Sequence, residues 1–123
     1  MPTFEQGDVV RVPFPYTDRD TRQHRPALVV SDGGLGDRKG LIWVVMITSA
    51  ANREWPGDVP LVVGHREVGL PVPSIIRSTK VATIEARRAT RLGSLPEGIW
   101  ASVASVLREH LGFGLRPRSG RVS

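Results

Sequence analysis

Apolar residues in the first two thirds of the chain come in short runs broken by proline, glycine and charge. That is the spacing of strands rather than helices. Val9, Val10 and Val12 predict a first strand that stops at Pro13 and Pro15, because proline has no N–H to give to a ladder. Residues 27–30 are apolar without alternation, as in a central strand buried on both faces. Residues 41–48, rich in β-branched and aromatic side chains, predict a third strand. A fourth covers 59–63, with Pro60 placing it at an edge or a bulge. Residues 74–77 and 80–84 read as two short strands around a kink, and 16–24 and 51–58 as polar loops.

The period changes near the end. Ile99, Val103, Val106, Leu107 and Leu111 recur at helical spacing as one apolar stripe. Ser94 and Glu97 stand three apart as in a capping box, Pro96 is tolerated in a first turn, and Gly112 is a natural stop. The pattern therefore predicts a mainly β fold with a C-terminal helix, a small antiparallel barrel capped by that helix. The domain is expected over 1–113, followed by a flexible basic tail over 114–123.

With 123 residues the chain is long enough for one compact domain. No apolar run approaches the roughly 20 residues of a membrane span. The N-terminal residues lack the pattern of a secretory signal, and the absence of cysteine excludes thiolate chemistry and disulfides. Together these features predict a cytoplasmic protein. A net charge of +5 suits a surface that binds polyanions, although a merely soluble arginine-rich surface carries the same charge. The three histidines share no metal-ligand spacing, so neither a metal nor another cofactor is expected.

Three ordered segments carry a resemblance. They are Gly7-Asp8-Val9-Val10 running into Pro13-Phe14-Pro15-Tyr16-Thr17-Asp18; Arg25-Pro26-Ala27-Leu28-Val29-Val30-Ser31; and Val45-Met46-Ile47-Thr48-Ser49. A weaker fourth runs from Ser74-Ile75-Ile76-Arg77 into Lys80-Val81-Ala82-Thr83-Ile84-Glu85. In this order they resemble the MazF/PemK family of toxins from type II toxin–antitoxin systems. The resemblance implies an SH3-like barrel, a homodimer, and a cognate antitoxin that blocks an RNA groove. It also implies metal-independent endoribonuclease activity on single-stranded RNA, in which the RNA's own 2′-OH attacks the adjacent phosphate. A related barrel in another toxin family inhibits DNA gyrase instead, and an inactive RNA-binding module is a further alternative.

Cleavage of that kind needs a proton acceptor, a cation for the phosphoryl oxygens and a donor for the leaving oxygen. Arg25, at the opening of a central strand, supplies a guanidinium whose fork matches two phosphate oxygens, and the resemblance gives this position a functional arginine. Without it, Arg25 reads as a solvated strand-end residue. The resemblance likewise marks Thr48, with Ser49 beside it as a helper. Some family members carry an acidic residue where this chain has Thr79, whose hydroxyl has no useful basicity near neutral pH.

That departure makes His24, the imidazole directly before Arg25, the candidate base; the alternative is a solvent-exposed loop histidine. Arg77 and Lys80 read either as phosphate contacts or as plain surface charge. Phe14 and Tyr16 can stack on unpaired bases, and Asp18 can order their loop or touch a base edge. Of the tryptophans, Trp43 is expected in the core and Trp55 exposed on its loop. Trp100, just off the helical stripe, is expected against the barrel or a partner.

Overall fold

The structure is a computed structural model and describes residues 3–13 and 23–112. Six strands, β1 (Asp8–Pro13), β2 (His24–Val29), β3 (Leu41–Ser49), β4 (Asp58–Leu61), β5 (Ser74–Glu85) and β6 (Thr90–Ser94), precede one helix, α1 (Glu97–His110). They form one antiparallel sheet in the order β4-β5-β3-β2-β1-β6, curled into a half-barrel. Each face of the curl carries its own core, because strand side chains alternate sides. Val10, Val12, Ala27, Val29, Ile42, Val44, Met46 and Ile84 fill the first face. Val9, Leu28, Val45, Ile47, Leu61 and Ile76 fill the second, under Val103 of α1 and the partly buried Ile99, Trp100, Val106 and Leu107. Leu28 and Ile76 are fully buried, each contributing about 1.5–3 kcal/mol through loss of apolar surface.

The central position of β2 and the edge position of Pro60 in β4 follow the sequence pattern. Other expectations need correction. The fourth strand ends at Leu61, and Val63 is 90% exposed. The two short strands after residue 73 are one continuous β5. Its pairing with β3 jumps from Val45↔Val81 to Met46↔Arg77, so Ser78, Thr79 and Lys80 bulge out of the ladder and produce the kink. Strand β6 has no apolar alternation to announce it. It is held to β1 by polar groups: the buried Asp8 carboxylate accepts from Arg91 Nε and Ser94 Oγ, at 3.3 and 3.2 Å, and from the Glu5 amide.

Ser94 is consequently not a helix cap. The N-cap is Pro96, and no side chain caps it. Gly93 sits where β6 crosses the turn at residues 66–68, and a Cβ there would stand 2.9 Å from the Val68 backbone. At the other end of α1, Gly112 takes a positive φ of 66° and donates to the Glu109 carbonyl. Trp43, expected in the core, is 51% exposed: it stands on the helix side of β3, where α1 leaves it half uncovered. It lines a groove of about 850 Å³ with Trp100, Val81, Leu107 and Leu111. No helix among the described residues is long and apolar enough to cross a membrane.

Candidate nucleic-acid interface

Registers across the sheet decide which candidate side chains share a face. Asp58, Arg77, Met46, Ala27 and Val10 stand side by side in one row, through pairings of β4 with β5, β5 with β3, β3 with β2 and β2 with β1. The next row on that face holds Pro60, Ile75 and Thr48 from one side, and Arg25 opposite Val12 from the other. The β2–β3 ladder ends at Ala27↔Met46, beside Pro26, which lacks a donor. Its register continued by two residues sets Arg25 across from Thr48. Arg25 is exposed and Thr48 half-buried. A permanent cation and a hydroxyl thus lie on one face, each two residues past the last β2–β3 pairing.

The same alternation separates other candidates from this pair. His24 and Ser49 are each one residue away in sequence and therefore belong to the opposite face. Ser49 Oγ accepts from the Ala51 amide at 3.1 Å, so it shapes the loop that follows. Thr79 is exposed on the bulge of β5 and lines the helix-side groove, again across the sheet from Arg25. Lys80 is half-buried on that bulge. Beside it, Ser78 is 1% exposed, and its Oγ has no hydrogen-bond partner among the described residues. Phe14, Tyr16, Asp18 and the tail 114–123 lie outside the described residues.

Arg77 is not surface charge. It is 7% exposed, and its guanidinium forms a 3.0 Å ion pair with the Asp58 carboxylate, whose side chain is 1% exposed. One of its terminal nitrogens donates to the Arg53 carbonyl at 2.6 Å, and the Trp55 ring covers it at 4.0 Å. Asp58 in turn accepts from the Trp55 amide at 2.8 Å. Trp55 remains 42% exposed, as its loop position predicts. The β3–β4 loop is therefore anchored at its far end by Arg77 and at its near end by Asn52, whose side-chain amide donates to Thr48 Oγ1. Sequence reasoning missed Asn52 entirely. The only available signal was its position four residues beyond Thr48 in a tight polar loop.

Among the described residues no three His, Asp or Glu side chains are placed to hold a metal ion. A guanidinium such as Arg25's can take two anionic oxygens of a phosphodiester and a hydroxyl such as Thr48's a third interaction.

Solved structures share this fold. MazF in the MazE–MazF complex of Deinococcus radiodurans is 25% identical, with a TM-score of 0.70 over 93% of this chain and 100% of that one. Two further structures are 17% and 16% identical and share the fold. A mycobacterial endoribonuclease in complex with its cognate antitoxin has a TM-score of 0.65, covering 91% of this chain and 98% of its own. The Mycobacterium tuberculosis toxin MazF-mt6 has a TM-score of 0.61, covering 89% and 100%. A comparison with curated proteins finds no significant sequence match. Residues 5–111 match the model of the PemK-like, MazF-like toxins of type II toxin–antitoxin systems, and the chain belongs to that family.

Proposed function

We propose that this toxin is an endoribonuclease that cuts single-stranded RNA at the face carrying Arg25 and Thr48. The observation that supports the reading is a shared face: the exposed Arg25 and the half-buried Thr48 each lie two residues beyond Ala27↔Met46, the last pairing of the β2–β3 ladder. The RNA 2′-oxygen attacks the adjacent phosphorus while its proton passes to a base. The P–O5′ bond breaks and the leaving oxygen takes a proton from water, giving a 2′,3′-cyclic phosphate and a 5′-OH. Arg25 neutralises charge growing on the phosphoryl oxygens, and Thr48 donates to one of them. Trp55, exposed and braced by Arg77, offers a stacking surface for an unpaired base.

The toxin acts in the cytoplasm as a homodimer held in check by a protein antitoxin. The similar MazF of Deinococcus radiodurans is found in a MazE–MazF complex. Support for a second copy comes from Trp43, Val81 and Leu111, which are exposed apolar side chains around one groove; clustered apolar exposure of this kind marks interfaces. The deciding experiment incubates purified protein with a defined single-stranded transcript in EDTA and maps the new ends. Cleavage leaving cyclic phosphate and 5′-OH ends, lost in Arg25→Ala, is the expected result. Intact RNA together with stabilised gyrase–DNA complexes overturns it.

A further inference from the structure

Beyond β3 the chain folds straight back on itself. The Asn52 amide donates to the Ser49 carbonyl at 3.0 Å, and the Ala50 amide donates to the Pro73 carbonyl at 2.9 Å. In this tight turn the Asn52 side chain reaches Thr48, its Nδ2 standing 2.5 Å from Oγ1. The rest of the loop is fixed by the buried Arg77–Asp58 pair, the bond from Arg77 to the Arg53 carbonyl, and two bonds between residues 55 and 58, in which the Asp58 amide donates to the Trp55 carbonyl and the Trp55 amide to the Asp58 carboxylate. Asn52 thus sits in a loop that is fixed at both of its ends.

A threonine hydroxyl has one proton to give and two lone pairs to receive with. An amide N–H directed at the oxygen occupies a lone pair, so the hydroxyl proton cannot be spent on that neighbour and is left to point outward. We propose that Asn52 is a positioning residue for Thr48, fixing the rotor of its hydroxyl so that the proton is presented to a phosphodiester oxygen. The inference rests on the reading of Thr48 as a phosphate donor and adds what orients it. A donor already aimed at developing charge accelerates the step, because no reorganisation is needed as the reaction proceeds.

The substitution that tests this is Asn52→Asp, which keeps the shape but replaces a donor with an acceptor. The carboxylate takes the hydroxyl proton for itself. Cleavage of the defined single-stranded transcript should fall about tenfold in kcat, the loss of one aligned hydrogen bond, with KM nearly unchanged and the melting temperature preserved. Asn52→Ala should fall by a smaller factor, since water can replace the amide donor. In a Thr48→Ala background Asn52→Asp should cost nothing further, because the group it orients is gone.

Wild-type rates in Asn52→Asp overturn the proposal. So does an equal loss in both backgrounds, which would make the effect simple repulsion between the new carboxylate and RNA. Unchanged cleavage in Thr48→Ala alone overturns the reading of Thr48, and the single-variant series separates that failure from the first two.

Discussion

Arg77 and Arg25 lie one row apart on the same face of the same sheet, yet their surroundings are opposite. Arg77 is 7% exposed and closed in by the Asp58 carboxylate, the Arg53 carbonyl and the Trp55 ring. Arg25 is exposed, with the Gln23 side chain 3.4 Å from one of its terminal nitrogens. A guanidinium that is desolvated and fully engaged has become part of the framework. One whose side chain is exposed at the end of the curl is accessible to an anion from solution. Residue type alone does not separate these roles; burial and partners do.

The sharpest way to break the comparison is to remove the buried member. Arg77→Ala leaves the Asp58 carboxylate buried without its counter-charge and should destabilise the fold by about 3–5 kcal/mol, read as a shift of the urea midpoint. A double variant that also carries Asp58→Ala should recover part of this loss. A cost for Arg77→Ala below about 1 kcal/mol would mean that the corner is solvated after all.

Arg25→Ala is the mirror experiment. Stability should change by less than about 0.5 kcal/mol, as for an ordinary surface substitution, while cleavage falls by roughly 100- to 1000-fold, the cost of deleting one charge-stabilising donor. Arg25→Lys should restore little, because a point charge does not reproduce the fork. Arg87→Ala is the control for lost net charge: its pair with Glu85 is exposed, at 70% and 45% of the two side chains, and neither stability nor cleavage should move measurably. Thr48→Ala comes next, with a loss of about tenfold, the worth of one hydrogen bond.

The sequence made the strands with apolar runs legible, and with them the central place of β2 and the edge place of β4. Arg25 and Thr48 were legible only through resemblance, since nothing in linear spacing says that two strand ends meet. What stayed hidden depends on polar contacts between distant positions. Strand β6 owes its place to Asp8, Arg91 and Ser94, which are more than 80 residues apart across the first contact. The same network withdrew Ser94 from the capping role that its spacing to Glu97 had predicted. Arg77 read as a phosphate contact or as plain surface charge because its partner, Asp58, lies on a neighbouring strand. Trp43 read as core because an aromatic residue in a β-branched run has that pattern, whichever side of the sheet its partner helix reaches.

His24 gives the smallest effect predicted among the candidate site residues and the most exacting test of the face argument. Next to Arg25 in sequence, it is the imidazole that reasoning along the chain selects as proton acceptor. In β2, however, neighbouring residues alternate sides, so the register that brings Arg25 opposite Thr48 carries His24 to the side of Ser49. His24→Ala should leave the rate within about twofold of wild type, and the rate–pH profile should keep its shape. Loss of the acidic limb in that variant would show that the imidazole reaches the reacting 2′-OH. Face assignment by strand alternation would then fail at this end of the sheet, and the separation drawn between Arg25's face and its reverse would fail with it.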